Sequence, residues 1–171
     1  MNYIKGISLL LSILFLVNAS AFADNVKIYS LSNVIFNDNG IAYDKIDNTP
    51  VNGILKTYYM SGKVKFETPL KNGKRNGTSK AYSEFGKILG ETSYKEGKEN
   101  GVEKQYYESG KIKLEIPYKD DKKHGVERYY KSGRINQKTT YKNGKAVSGF
   151  IYTEDGKKRK MTNEDLYNIN K

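Results

Sequence analysis

Glycine recurs at a fixed interval through most of this chain, and that regularity restricts the fold more than any other feature. One series keeps a constant spacing without drift: Gly53, Gly77, Gly101, Gly125 and Gly149. A second series follows it at Gly62, Gly86, Gly110 and Gly133, and a third lies at Gly73, Gly97 and Gly144, with Asp121 in the remaining slot. Such spacing predicts tandem units of about 24 residues, each a single supersecondary element.

The side chains between the glycines predict strands. Ile112, Leu114 and Ile116 alternate with charged neighbours, which is the period of a strand with one apolar face. Gly-Lys and Asn-Gly pairs supply the positive φ that hairpin turns require. A helix with three glycines per unit would lose about 3 kcal/mol relative to alanine. The sequence therefore predicts an all-β fold of hairpin repeats that form one elongated, single-layer antiparallel sheet.

Two irregularities constrain how the strands pair. Pro69 and Pro117 occupy the same slot in alternate units, which should lie at a strand end, at a bulge or facing solvent. The segment from Gly125 to Gly133 is one residue shorter than its counterparts. Either the tyrosine pair changes faces in that unit, or the other units carry a β-bulge.

Residues 1–23 resemble a secretory signal. Lys5 precedes an apolar run at residues 7–17, and small residues close the segment at Ala21 and Ala23. The apolar run is shorter than the ~20 residues that span a bilayer. We expect cleavage between Ala23 and Asp24 and export to the periplasm, the cell surface or the medium; an uncleaved anchor is the alternative.

The remaining chain divides into three parts. Residues 24–52 are predicted to form a capping hairpin or degenerate repeat, and residues 53–156 form the repeat array. Residues 157–171 are a basic segment with a short C-terminal helix, for which Thr162 is the predicted N-cap. Terminal units that cover the open ends are typical of repeat arrays.

The repeated unit is similar to a known family. Residues 101–115, with the sequence GVEKQYYESGKIKLE, give its clearest copy. This pattern resembles the MORN-repeat variant family, whose members are often labelled YwqK-type antitoxins of toxin–antitoxin systems. The resemblance implies an elongated antiparallel sheet that serves as a binding or scaffolding surface. It also implies protein partners and, in some members, acidic phospholipids.

No residue pattern in the chain points to catalysis. His124 is the only histidine and occupies the turn slot held by Asn76 and Asn100, and cysteine is absent. Carboxylates at Glu67, Glu91 and Glu115 recur once per unit beside lysines, which predicts cross-strand ion pairs. We therefore expect a protein that is not an enzyme and that needs no cofactor or metal.

Tyrosine and lysine rows are the candidate partner-binding surface. Tyrosine pairs are assigned at 58–59, 106–107 and 129–130, with Ala81-Tyr82 in the second unit, and one ring of each pair should be exposed. The candidate residues are Tyr59, Tyr107, Tyr130, Lys63, Lys65, Lys111 and Lys113. The formal charge of +11 is spread over every unit, and the dense run at 157–160 is interpreted as a solvated edge.

Three functional hypotheses follow. The first is an exported protein-binding or scaffolding module in the cell envelope. The second is an antitoxin or immunity-like protein that neutralises a toxin, and the third is peripheral binding to anionic phospholipid. Export and the dispersed lysines disfavour nucleic acid as the partner.

Overall fold

The computed structural model describes residues 26–171; the predicted signal peptide and its cleavage site lie outside the described residues. Strands make up about 59% of the described residues. The strands are β1 (Ile28–Ser30), β2 (Val34–Phe36), β3 (Ala42–Asp44), β4 (Gly53–Tyr58), β5 (Val64–Lys71), β6 (Lys74–Arg75), β7 (Gly77–Tyr82), β8 (Ile88–Lys95), β9 (Lys98–Tyr106), β10 (Ile112–Lys119), β11 (Lys122–Lys123), β12 (Gly125–Lys131), β13 (Arg134–Lys142), β14 (Lys145–Tyr152) and β15 (Lys158–Lys160). The C-terminal helix is α1 (Asn163–Asn170).

Thirteen of these strands form one sheet, in which the strands from β4 onward follow their order in the sequence, and β2 and β3 form a separate hairpin. The main order is β1-β4-β5-β7-β8-β9-β10-β12-β13-β14-β15, with β6 beside β5 and β11 beside β10. Strand β1 runs parallel to β4, while the other pairings are antiparallel. The predicted repeat sheet is confirmed, and β1 is its one parallel addition.

The glycine series mark two kinds of turn. At the first kind, two residues in succession have positive φ, as at Asn72 (51°) and Gly73 (73°), which is the type I′ hairpin turn. Asp121 takes this conformation without glycine, at φ 64°, because an Asp side chain tolerates the left-handed region. The second kind is longer: the Tyr59 amide donates to the Lys63 carbonyl at 2.9 Å, and Gly62 has φ 79°.

Each of the four units carries a β-bulge, the short one included, so the bulges do not account for its missing residue. The register shifts by one residue after the longer turn, leaving an extra residue in β5, β8, β10 and β13. The short unit loses its residue from the turn instead, because Lys131 pairs with Arg134 around a two-residue turn. Each slot of the strands keeps its face, but the tyrosine pair at 129–130 is displaced by one slot and so changes faces, which is the first of the two alternatives.

The prolines lie inside β5 and β10, beside breaks in the neighbouring strand. The amides of Asn76 and His124, which interrupt the next strand, donate to the carbonyl oxygens of Pro69 and Pro117 at 2.9 Å. Ser93 occupies the equivalent slot in the middle unit, where β9 is continuous but its register with β8 also shifts. A proline, which cannot donate to the ladder, is tolerated at such an irregular point.

Both ends of the array are covered. The β2–β3 hairpin packs on the first unit, where the buried apolar cluster is Tyr29, Val34, Ala42, Val51, Leu55 and Leu70. At the other end Thr162 caps α1 through a capping box with Asp165, which confirms the predicted N-cap. The Asn170 side chain bonds both the amide (2.8 Å) and the carbonyl (3.1 Å) of Ala146, tying α1 to β14.

Replacing Gly101 by alanine should destabilise the array more than replacing Gly86. Both glycines have positive φ, but a Cβ on Gly101 would lie 2.8 Å from Cβ of Ser93, whereas one on Gly86 meets nothing within 4 Å. We expect Gly101→Ala to lower the free energy of unfolding by roughly 2–3 kcal/mol in urea titrations, and Gly86→Ala by clearly less. Equal losses would contradict the close approach of the strands at Gly101.

Candidate binding surface

One face of the sheet carries a row of charged side chains that alternate in sign. We call it the ladder face, and its row is Lys56, Glu67, Lys80, Glu91, Lys104, Glu115, Arg128 and Lys138. Each residue is the direct cross-strand partner of the next, and the signs alternate from Lys56 to Arg128. Opposite charges placed directly across an antiparallel pair stabilise it. Lys56 and Glu67 form an ion pair at 2.8 Å.

A tyrosine row runs beside the charged row. The hydroxyls of Tyr82, Tyr106 and Tyr130 donate to Glu67, Glu91 and Glu115 respectively, each at 2.7 Å and each from 15 residues further along the chain. The predicted ion pairing of these carboxylates is confirmed for Glu67. For Glu91 and Glu115 it is wrong, since among the ion pairs of residues 26–171 neither takes part, and each accepts a tyrosine hydroxyl instead.

This packing changes the acidity of the tyrosines. Burial, and then the hydrogen bond to the carboxylate, raise the pKa of Tyr82 and of Tyr106 to about 12. The same causes raise the pKa of Tyr130. The hydrogen bonds from Lys56 and Tyr82 lower the pKa of Glu67. These tyrosines therefore stay neutral over the whole physiological range of pH.

Tyr59 and Tyr107 lie in a different row, at the edge formed by the longer turns. Their hydroxyls donate to the carbonyl oxygens of Tyr82 (2.7 Å) and Tyr130 (2.6 Å), 23 residues further on. Both rings are half-buried. Each therefore links its own turn to the following unit, in addition to any role in binding.

The placement of Tyr130 beside Tyr59 and Tyr107 is wrong. Tyr130 aligns with Tyr58, Tyr82 and Tyr106, and its hydroxyl is bonded to Glu115. In the short unit Gly133 comes one residue earlier than its counterparts do, so a tyrosine slot that is placed relative to Gly133 is shifted by one residue. Counting forward from Gly125 gives the observed register, with Lys131 in the slot of Tyr59.

The four candidate lysines are exposed at the same edge as Tyr59 and Tyr107. Nζ of Lys65 lies 5.4 Å from the centroid of the Tyr59 ring, and Nζ of Lys113 lies 5.9 Å from that of Tyr107. We call this border of the sheet, formed by residues 59–63, 83–87, 107–111, 131–134 and 153–157, the long-turn edge. The structure thus gathers the candidates, apart from Tyr130, into two clusters on one edge.

Apolar side chains at this edge escaped the sequence analysis. Met60 is fully exposed and Phe85 is 87% exposed, both at turn tips of the first two units. Tyr58, Phe66 and Leu89 are also partly exposed in these units. The sequence does contain a sign of them, because Met60 aligns with Glu108 of the third unit and Phe85 aligns with Ser109. Such departures from the repeat are not needed for its fold.

Groups that could bind a metal ion are not assembled in the part of the chain that the structure describes. Within residues 26–171, no three His, Cys, Asp or Glu side chains form a group that could hold a metal ion. His124 is exposed beside a strand break, as expected of a turn residue. Helix α1 is the one α-helix in that range, and no helix there has the length and apolar character to cross a membrane.

Comparison with known proteins identifies the repeats. A family model described as MORN repeat variant matches residues 51–72, 75–96, 99–120 and 123–143, which together are just over half of the chain. Each match starts just before a glycine of the first series and ends in a type I′ turn. No curated protein matches the chain.

The raised tyrosine pKa values predict a loss of stability in alkali. Below pH 10 the phenols are protonated in both states, so their hydrogen bonds contribute fully. As the pH rises from 10 towards 12, the unfolded chain releases these protons first and the free energy of unfolding falls. Urea titrations should show a shallower fall for the double variant Tyr82→Phe with Tyr106→Phe. If the free energy of unfolding fell equally with pH in both proteins, the Tyr–Glu hydrogen bonds would be contradicted.

Proposed function

The chain belongs to the MORN repeat variant family, and from that premise we propose that it is an exported, non-enzymatic module that binds a protein partner in the cell envelope along its long-turn edge. MORN repeats are generally protein-binding or lipid-binding modules. The exposed apolar side chains at the first two long turns favour a protein partner. The secretory pattern in residues 1–23 supports export.

The observation that carries this proposal is the exposure of Met60 and Phe85. Large apolar side chains at turn tips add nothing to the packing of a single-layer sheet, and water contact with them is unfavourable. Contiguous exposed apolar groups with a polar rim are typical of protein–protein interfaces. Tyr58 and Phe66 are further partly exposed apolar side chains on the strands next to the first of these turns, Tyr58 on the ladder face and Phe66 on the other.

The charges around this patch indicate the chemistry of the partner. Lys63 lies with its Nζ 6.0 Å from the Phe85 ring, and Lys65 is exposed nearby. Glu84 is the acidic residue within this turn. The surface therefore suits a partner that presents apolar side chains flanked by carboxylates, since complementary charge orients and speeds association.

The patch is also held in shape before binding. The Tyr59 hydroxyl fixes the first long turn to the Tyr82 carbonyl, and the Lys87 ammonium reaches the Glu108 carbonyl at 2.9 Å in the next. Successive turns are thereby tied together. A surface that is already ordered loses less conformational freedom when it binds, which favours affinity.

Crosslinking from Phe85 in the native host tests the proposal. A photoreactive phenylalanine analogue at position 85 of the full-length chain should capture a discrete envelope protein, and one at Val147 should not. With that partner purified, Met60→Ser combined with Phe85→Ser should weaken binding at least tenfold. The control pair Val147→Ser with Tyr167→Ser, also exposed, should leave the affinity within about twofold.

Two outcomes would contradict the proposal: equal weakening by both pairs, or a chain that stays in the cytoplasm with its first residues intact. N-terminal sequencing of the fractionated protein reads the second. If the captured partner is a toxin whose activity the chain suppresses, the antitoxin role follows from the same experiment.

A further inference from the structure

Lysines flank the type I′ turns in pairs. The pairs are Lys71 with Lys74, Lys95 with Lys98, Lys119 with Lys122, and Lys142 with Lys145, and the two members of each pair are direct cross-strand partners. All eight side chains are exposed. In the sequence they appear dispersed over every unit. The fold brings them into one row along the border opposite the long-turn edge, which we call the lysine edge.

The row lies on the ladder face. In each unit the first lysine follows a residue of the opposite face, such as Leu70 or Tyr141, both of which are buried, and successive strand residues alternate between faces. Among the ion pairs of residues 26–171, none involves any of the eight lysines. Like charges directly across a strand pair are destabilising, so the pairing does not serve the fold.

The acidic residues at this edge leave most of its charge uncompensated. Glu96, Asp120 and Asp121 occupy the two middle turns, while the first and last turns carry only Asn and Gly. Asp121 accepts a bond from the Glu99 amide at 2.8 Å, and Asp120 faces the Asn100 side-chain amide at 3.4 Å. These two carboxylates are thus occupied within the edge. Eight lysines against three acids leave a net charge of +5.

The geometry of the row suits a flexible chain better than a plane. The lysine pairs repeat every two strands, or about 10 Å, so that four pairs extend over roughly 30 Å. Adjacent strands rotate by about 20° relative to each other. The row therefore winds along the sheet, and a flat bilayer would touch only part of it. A flexible linear polyanion can follow the whole row.

The neighbouring side chains disfavour nucleic acid. Single-stranded nucleic acids bind where aromatic rings stack on their bases beside the cationic track. Next to the lysines on the ladder face, the residues are small, aliphatic or proline: Ile54, Pro69, Thr78, Ser93, Val102, Pro117, Val126, Thr140 and Ser148. Lysine is a rotatable point charge without the fork of arginine, which suits isolated anionic groups along a polymer.

We propose that the lysine edge binds a linear acidic polysaccharide, with one lysine pair for each anionic group or short group of sugars. Binding is electrostatic and spread over four units, so it strengthens with the length of the polymer and weakens as salt is added. The site is separate from the long-turn edge. A polysaccharide and a protein partner can therefore occupy the chain together.

Two variants that remove the same charge from different edges test this proposal. The lysine-edge variant changes Lys95, Lys98, Lys119 and Lys122 to Ser, and the control changes Lys63, Lys65, Lys111 and Lys113 to Ser. Binding of the mature chain to fluorescent dextran sulfate is measured by anisotropy, with neutral dextran as the blank. We expect at least a tenfold loss of affinity for the lysine-edge variant and less than threefold for the control.

Polymer length and competing ligands make the test specific. Sulfated fragments long enough to reach all four pairs should bind more tightly than fragments that reach one. Equal losses for the two variants, or no dependence on length, would overturn the proposal. So would tighter binding to single-stranded DNA or to anionic phosphatidylglycerol vesicles than to the polysaccharide, because the lysine edge would then serve another class of ligand.

Thermal melting separates lost binding from lost folding. Since the variant removes repulsion between paired lysines, it should melt no lower than the wild-type chain. If it melts lower, the same comparison can be made with two variants that each remove only two lysines. One is Lys95→Gln with Lys98→Gln, and the other is Lys119→Gln with Lys122→Gln. Each should weaken dextran sulfate binding more than the change of Lys63 and Lys65 to Gln.

Discussion

Backbone pairing between neighbouring strands holds this protein together, because a sheet one layer thick has no second layer on which to bury side chains. Fully buried apolar residues are concentrated in the N-terminal cluster, and few lie along the repeats. The turns add to this pairing, since the amides of Gly73, Gly97 and Asp121 each donate to the carbonyl oxygen of the residue 22 positions earlier, at the same border of the sheet. Stability is therefore distributed along the array and passes between adjacent units.

The side chains that support this ladder leave two edges free for binding. In the middle of the ladder face, charges of opposite sign lie directly across neighbouring strands, and three tyrosine hydroxyls donate to the glutamates of that row. At the long-turn edge the first two units replace polar tips by Met60 and Phe85. At the opposite edge lysine pairs persist in every unit although they repel. At both edges these side chains are not needed for the fold of the repeat, and we therefore assign them to binding.

The sequence predicted the parts of the fold that depend on local chemistry. Glycine spacing gave the hairpins and the repeat length, and the capping pattern around Thr162 gave the terminal helix. It did not place Tyr130 correctly, because a one-residue deletion can be absorbed by a turn or by a strand, and only the register distinguishes them. The lysine row was missed for a related reason: residues that are neighbours across a turn look dispersed along the chain.

Amide hydrogen exchange of the full mature chain tests the central claim most directly, because it reads backbone pairing unit by unit. We predict protection at the paired positions of all four units, with fast exchange recurring at the turn tips once in every unit. Protection confined to the N-terminal cluster around Val34 and Val51, with the repeats exchanging as an unfolded chain, would contradict the account.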